Sequence, residues 1–179
     1  MRSIALALAV ISLGACDSGD VPPPGQEPLR ASTPQVAADE VVLRGEGLVA
    51  GAEAFYFAAG ENEVRTALAG VLGKAESDAS NDECGAGPMT FVGYPGRLTV
   101  NFQDGRLVGW TLFEGGDRIS VESDIQVGTP SDTAVEVDGF TRVDDSTLGE
   151  EFSIGPNIGG FIEADKVSML YAGTQCFFR

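Results

Sequence analysis

The chain has 179 residues, no histidine and a formal net charge of −16, with 27 acidic against 11 basic side chains. That charge disfavours binding to nucleic acid or to an anionic membrane surface. The absence of histidine excludes Ser-His-Asp and Cys-His catalytic sets and imidazole metal sites, and no phosphate-binding or dinucleotide-binding glycine motif occurs. We therefore expect a protein that is not an enzyme and carries no cofactor.

The first fifteen residues have the features of an export signal. Arg2 precedes an apolar stretch from Ile4 to Leu13, which is too short to cross a bilayer as a helix and is typical of a cleavable signal peptide. The motif Leu13-Gly14-Ala15-Cys16 follows and resembles the lipobox of bacterial lipoproteins. The resemblance implies cleavage after residue 15 and attachment of acyl chains, such as palmitate, to Cys16. The alternative is an ordinary secretion signal that happens to contain a cysteine.

Residues 16–40 are predicted to be the lipidated cysteine and a flexible tether. The stretch is rich in proline, glycine, serine and charge, so it cannot bury enough apolar surface to offset the entropy of ordering. No later segment is apolar over the length of a spanning helix. We therefore expect the lipid on Cys16 to be the membrane attachment and to hold the protein in the bacterial envelope, outside the cytoplasm. The sequence leaves open whether it faces the periplasm from the inner or the outer membrane.

Residues 41–179 are long enough for one domain with a core of its own. The apolar runs 41–43 and 54–58 are consistent with strands or with a packed segment at the start of the domain. Glu61–Leu72 is the clearest helix, because Val64, Leu68 and Val71 recur at steps of three and four and Gly73 is a typical stop. The acidic stretch 76–83 is predicted to be a loop.

The strongest β pattern follows at 89–94, 97–103 and 107–113, which predict a three-stranded antiparallel meander. Pro95-Gly96 separates the first two runs, and Asp104-Gly105 is a strong two-residue hairpin signal between the second and third. In the third run, strict alternation places Leu107 on the face opposite Trp110.

The second half predicts a similar arrangement. Runs 119–121 and 125–127 are possible short strands, and a helix start at 128–132 leads into 133–137. Runs 151–154, 160–163, 167–171 and 175–178 predict a second meander, with a turn at 172–174. The fold class predicted is α+β, a single domain of tandem helix-plus-antiparallel-meander units with half-repeats at 41–117 and 118–179.

This organisation resembles that of uncharacterised bacterial lipoproteins. The features that carry the likeness are the helix, the segment ECGAGP at 83–88, the hairpin QDGRLVGW at 103–110 and the end GTQCFFR at 173–179. More distantly, the layout is similar to the β-lactamase-inhibitor-protein-like fold and to the small lipoprotein of the outer-membrane barrel-assembly machine. The resemblance implies a concave sheet surface, and it implies no chemistry.

Two further cysteines, Cys84 and Cys176, remain once Cys16 is assigned to the lipid. In an exported chain an even pair is most simply a disulfide bond. A reactive thiol is the alternative, but there is no histidine to activate one and neither cysteine belongs to a CxxC pair. The predicted bond would join the middle of the domain to its C-terminal end.

Other polar candidates have weaker support. The acid pairs Asp82-Glu83, Asp144-Asp145 and Glu150-Glu151 are expected to be solvated surface, because adjacent side chains point apart on a strand. The loop at 76–83 offers oxygens for calcium from Asp78, Asp82 and Glu83 but lacks the spacing of an EF-hand, so a calcium site there remains only an alternative to a plain loop.

The aromatic residues Trp110, Tyr94 and Phe113 could line a binding surface, although core packing is the better expectation for most aromatic side chains.

Three functions follow from these observations. The preferred one is a membrane-anchored envelope lipoprotein whose domain binds another envelope component or accompanies its assembly, without turnover. The second is a glycan-cleaving hydrolase that uses carboxylates alone, which would need two acids across one cleft. The third is a purely structural outer-membrane accessory. A large exposed apolar concavity would favour the first.

Overall fold

The computed structural model describes residues 37–177. The signal peptide, the lipobox with Cys16 and most of the predicted tether lie outside these residues. The last two residues of the chain, which include the end of the predicted strand 175–178, also lie outside them.

The described residues form twelve strands and two helices. The strands are β1 (Val41–Arg44), β2 (Gly47–Ala50), β3 (Glu53–Tyr56), β4 (Ser77–Asn81), β5 (Met89–Tyr94), β6 (Leu98–Gln103), β7 (Arg106–Leu112), β8 (Ile119–Val121), β9 (Phe140–Arg142), β10 (Glu150–Ile154), β11 (Ile158–Glu163) and β12 (Lys166–Gly173). The helices are α1 (Glu61–Leu72) and α2 (Ser131–Ala134).

The strands are arranged in two sheets. The larger has eight strands in the order β4-β5-β6-β7-β12-β11-β10-β9, and every neighbouring pair in it is antiparallel. The smaller has the order β3-β2-β1-β8, with β1 and β8 parallel. In the larger sheet, two runs of four consecutive strands meet where β7 pairs with β12.

The predicted α+β class is wrong. The structure is β-rich, with 45% strand, 11% helix and a second sheet, instead of a domain built from helix-plus-meander units. The helix predicted at 133–137 is replaced by the single turn of α2, because the β-branched Thr133, Val135 and Val137 are weak helix formers. The small sheet depends on pairing Val41 with Ile119, which are too far apart in the chain for any local pattern to reveal.

Several individual elements are confirmed. Helix α1 has the predicted bounds, and strand β5 coincides with the run predicted at 89–94. The Asp104-Gly105 hairpin forms as expected, with φ angles of 49° and 69° at its two turn residues and Gln103 paired with Arg106. Such a turn needs positive φ at both positions, which is why this dipeptide was a strong signal.

Other elements differ from their predictions. Much of the stretch predicted as an acidic loop is β4, an edge strand of exposed polar residues that pairs only with β5. Its side chains have low strand propensity, so the backbone ladder and not the residue type defines it. Residues 125–127 and 174–177 are not strands, and Gly173 belongs to β12 and not to a turn. Strands β2 and β9 were not predicted.

A β-bulge overturns the predicted faces of β7. Asn101 pairs with Gly109 while Phe102 pairs with Leu107, so Val108 is the extra residue. The bulge places Leu107 on the same face as Trp110, whereas strict alternation put them on opposite faces. This face of the larger sheet is therefore apolar along the whole strand.

The core lies between that face and a layer formed by α1 and the small sheet. Val64 and Leu68 of α1 are fully buried, and so is Trp110 at the centre of the larger sheet. The indole Nε1–H of Trp110 donates to the carbonyl oxygen of Arg44 at 2.8 Å, which links the two sheets through a satisfied polar group. Trp110 and Tyr94 are thus core residues, as favoured from the sequence.

Candidate functional site

The opposite face of the eight-stranded sheet, here called the outer face, has a mixed polar and aromatic surface. Residues that pair directly across two strands, and residues two positions apart on one strand, have their side chains on the same face of a sheet. By this rule the outer face carries Phe91, Asn101, Thr111, Tyr171 and Phe161. The core-facing side chains of the same strands point the other way. The outer face is the surface on which the domain can present binding groups.

Residues 174–177, here called the C-terminal segment, cross the outer face and are held there by Gln175. Its Oε1 accepts hydrogen bonds from Asn101 Nδ2 at 3.0 Å and from Thr111 Oγ1 at 2.7 Å. Its Nε2 donates to the carbonyl oxygens of Trp110 at 3.1 Å and Ala172 at 2.8 Å. Both the oxygen and the nitrogen of the Gln175 side-chain amide are therefore hydrogen-bonded on a sheet surface from which water is largely excluded. These four bonds fix the position of the C-terminal segment.

The absence of a side chain at Gly109 permits this close approach. A Cβ atom there would lie 2.6 Å from the carbonyl oxygen of Thr174 and 2.8 Å from that of Ala172. Thr174 instead donates its backbone N–H to the carbonyl oxygen of Val108 at 2.8 Å. Only glycine leaves room for the segment to lie directly on β7.

A disulfide bond between Cys84 and Cys176 ties the C-terminal segment to the connection between β4 and β5. The pairing predicted from the sequence is therefore confirmed. Cys84 is buried, and a bond that joins positions 92 apart in sequence restricts the unfolded chain strongly.

Phe177 completes an aromatic cluster with Phe161 and Tyr171. Phe177 meets both other rings edge to face, with centroids 5.8 Å from Phe161 and 5.1 Å from Tyr171. Phe161 and Tyr171 are 5.8 Å apart. Edge-to-face pairs of this kind contribute stability beyond that from the burial of their area. The three rings, here called the aromatic cluster, therefore pack together stably on the outer face.

A buried carboxylate on the neighbouring strand β10, paired with Phe161, holds the Tyr171 ring in place. Tyr171 donates its hydroxyl to Glu151 Oε1 at 2.5 Å, and Ser146 Oγ donates to Glu151 Oε2 at 2.6 Å. Glu151 is only 3% exposed, so the expectation that both acids of the Glu150-Glu151 pair are solvated is wrong for Glu151. A buried carboxylate requires such donors, and its alternation with exposed Glu150 follows from the pleat of β10.

An open groove of about 520 Å³ lies beside the aromatic cluster and is here called the outer-face groove. Its apolar lining comprises Phe113, Leu148, Phe161, Ile162, Met169 and Phe177. Its charged lining residues are Glu150 and Glu163, and both are exposed. Glu163 lies two positions after Phe161 on the outer face, whereas Glu150 pairs with Ile162 on the opposite face, so the groove extends around the end of the sheet. The volume falls within the usual range of ligand sites, and Phe113 is 41% exposed. Of the three aromatic candidates taken from the sequence, Phe113 alone lines the groove.

Two other depressions offer less. A groove of about 720 Å³ runs between α1 and the β2–β3 turn, but its lining is mainly alanine, glycine and short polar residues. Another of about 470 Å³ lies on the far side of Tyr171, beside the β10–β11 turn. Binding energy at interfaces is concentrated in aromatic and other large anchors, so the outer-face groove is the better candidate despite its intermediate volume.

The polar candidates from the sequence are dispersed. Asp78 is engaged by Arg65, whose Nη1 lies 2.6 Å from Asp78 Oδ2, and Asp82 and Glu83 are exposed. No group of three or more histidine, cysteine or acidic side chains placed to hold a metal occurs within residues 37–177. The calcium alternative therefore gains no donor cluster in the part of the chain that the structure describes.

Sequence reasoning missed the residues that build the site. Tyr171, Phe161 and Met169 were read as strand residues without a role, and Gln175 as part of a further strand. One signal was present, because Gly159 and Gly160 lie at the start of the run predicted as a strand at 160–163, and glycine in a strand often marks a close approach. A Cβ at Gly159 would overlap the Tyr171 ring.

Comparison of the chain with protein-family models, with curated proteins and with solved structures gives no match. No helix within the described residues has both the length and the apolar character needed to span a bilayer.

Proposed function

We propose that this protein is a membrane-anchored envelope lipoprotein whose domain binds another envelope protein, without turnover, through the outer-face groove. The observation that carries the binding function is the groove itself, in which exposed Phe113 and the aromatic cluster stand open on an otherwise acidic domain. Exposed apolar surface on a soluble domain is typical of an interaction site.

Two features support the anchor and the compartment. The Leu13-Gly14-Ala15-Cys16 motif resembles a lipobox, and acyl chains on Cys16 would hold the mature chain to a bilayer. The Cys84–Cys176 disulfide suits an oxidising compartment, such as the bacterial envelope outside the cytoplasm.

Binding is tested by site-specific photo-crosslinking of the full chain in intact cells. A photoreactive amino acid replaces Phe113 in the groove or, as the control, Tyr56, which is 62% exposed and does not line the groove. We expect a discrete protein adduct from position 113 and none from position 56. The absence of an adduct at position 113 would contradict the binding function and favour a purely structural role.

A carboxylate hydrolase is the second candidate, because Glu150 and Glu163 line the same groove. It predicts that the protein cleaves envelope glycan strands and that either Glu150→Gln or Glu163→Gln abolishes the cleavage. The assay measures the new reducing ends that glycan cleavage releases, and we expect none. Their release by the unaltered protein, and its loss in both variants, would show that the protein is a hydrolase and not a binding protein.

A further inference from the structure

The charged residues that line the outer-face groove are acidic, and two arginines, Arg97 and Arg142, lie next to it. Glu150 and Glu163 are its two charged lining residues, and both are exposed at the rim. Arg142 lies nearby, with its Nη1 3.5 Å from Glu150 Oε1. Both side chains of that pair are more than half exposed, so the pair is weak and a ligand cation can compete for Glu150.

The floor of the groove is suited to apolar side chains. Phe113 and Phe161 supply flat apolar surface, and Met169 supplies an adaptable one. The guanidinium of Arg97 already lies 5.3 Å from the centroid of the Phe113 ring. Arg97 therefore already covers one face of this ring, and the groove offers a ligand the remaining apolar surface of its floor.

The charge of the whole molecule acts in the same direction. The chain carries 27 acidic against 11 basic side chains, so its field attracts basic partners and repels anionic ones. An apolar floor with an acidic rim is complementary to a segment that presents an aliphatic or aromatic anchor between positive charges.

We propose, on the basis of the binding function above, that the groove takes a basic segment of a partner protein in which lysine or arginine flanks a leucine or phenylalanine anchor. The anchor side chain packs against Phe113, Met169 and Phe177. The flanking cations pair with Glu150 and Glu163.

The test uses the full mature lipoprotein in bilayer discs of phosphatidylcholine, which carries no net charge, with empty discs as the blank. The probe is a fluorescent pentapeptide, Lys-Phe-Lys-Leu-Lys, and binding is followed by fluorescence anisotropy. Two comparison peptides replace either the lysines by glutamate or the two apolar residues by serine. We expect both to bind at least tenfold more weakly than the probe, since each lacks one of the two required features.

Two variants assign the binding to the groove. Glu150→Gln combined with Glu163→Gln removes the rim charges with little change in volume, and Phe113→Ser removes an exposed part of the floor. We expect each to weaken probe binding at least fivefold, and the charge variant also to reduce the dependence on salt concentration. Equal binding of the glutamate peptide, or unchanged affinity in the charge variant, would overturn the proposal.

Matched controls remove the same charge or a similar exposed ring elsewhere. Glu136→Gln with Asp138→Asn alters two exposed carboxylates that do not line the groove, and Tyr56→Ser alters an exposed ring on the small sheet. We expect probe affinity to be unchanged in both. A loss as large as in the groove variants would also overturn the proposal.

The photo-crosslinking result separates this proposal from the function on which it rests. An adduct from position 113 whose crosslinked partner segment lacks basic residues would refute the basic segment and leave the binding function standing. The absence of any adduct would refute both.

Discussion

At the scale of single residues, the aromatic cluster of the candidate site depends on Gly159 of β11. The Tyr171 ring lies where a side chain at this position would be, and from there its hydroxyl reaches buried Glu151. The pairing of Gly159 with Tyr171 in the ladder brings the ring across the neighbouring strand. The absence of a side chain at Gly159 therefore allows both the position of the Tyr171 ring and its hydrogen bond to Glu151.

We predict that Gly159→Ala destabilises the domain by about 1–3 kcal/mol, because the added methyl group overlaps the Tyr171 ring and displaces it. Urea unfolding measures the change. The matched control is Gly70→Ala on the exposed side of α1, where a Cβ meets no atom within 4 Å, and which should stabilise the helix by about 0.5–1 kcal/mol. Equal stability of Gly159→Ala and the unaltered protein would disprove the role of Gly159.

The residues that form the candidate site were only partly accessible to sequence analysis. Phe113 was recognised as a possible surface aromatic, whereas Phe177 and Tyr171 gained their roles through contacts between distant strands and the C-terminal segment. Glu151 was assigned to the surface because adjacent acids usually are solvated. Its burial depends on Tyr171, twenty positions away, and no local pattern contains that information.

At the scale of elements, helix α1 is tied to edge strand β4 by one ion pair. Arg65 lies between Glu61 and Asp78, and its Nη1 is 2.6 Å from Asp78 Oδ2. The hydrogen bond from Arg65 lowers the pKa of Asp78 below its usual value. An acid with a lowered folded-state pKa stabilises the fold at higher pH, and that stabilisation is lost as pH falls through the folded-state pKa.

We predict that Asp78→Asn lowers the free energy of unfolding at neutral pH by at most about 1 kcal/mol, because the Asp78 side chain is 56% exposed and water screens the pair. The difference from the unaltered protein should shrink below the ordinary aspartate pKa of about 3.9 and vanish once Asp78 is protonated in the folded state. Urea unfolding at a series of pH values measures it. The control is Asp82→Asn, at another exposed acid close to β4, which should change the free energy of unfolding at neutral pH by no more than about 0.5 kcal/mol.

Elements with strong local signals were predicted and those defined by distant partners were not. The periodicity of α1 and the positive-φ requirement of Asp104-Gly105 specify their structures within a few residues. Strand β4 has the composition of a loop and becomes a strand through pairing with β5. The Ala164-Asp165 turn adopts positive φ at both residues without glycine, so its sequence gives no hairpin signal.

At the scale of the whole molecule, the proposal joins an acidic binding domain to a lipid anchor. Removal of residues 1–15 takes away one arginine and no acid, which leaves ten basic against 27 acidic side chains and a net charge of −17. Such a domain is repelled by anionic lipid headgroups. On the proposed function, membrane association would depend on acyl chains attached to Cys16 and not on the surface of the domain.

We predict that Cys16→Ser moves the protein from the membrane pellet to the soluble fraction, because it removes the site of acylation. Immunoblotting of fractionated cells measures the partition. The control is Cys84→Ser with Cys176→Ser, which removes both other cysteines and keeps Cys16; it should remain in the pellet. Retention of Cys16→Ser in the pellet would refute the lipid anchor.

The formation of the bond between Cys84 and Cys176 also depends on how far folding of the domain has progressed. Each run of four strands can form from hairpins between neighbours in the chain, but β7 meets β12 only through a long-range contact, and such contacts form late. Cys176 lies three residues beyond β12, so it reaches Cys84 once that pairing has closed the sheet. We therefore expect an incompletely folded molecule to keep two free thiols, so that the oxidation state of this pair distinguishes completed domains from incomplete ones.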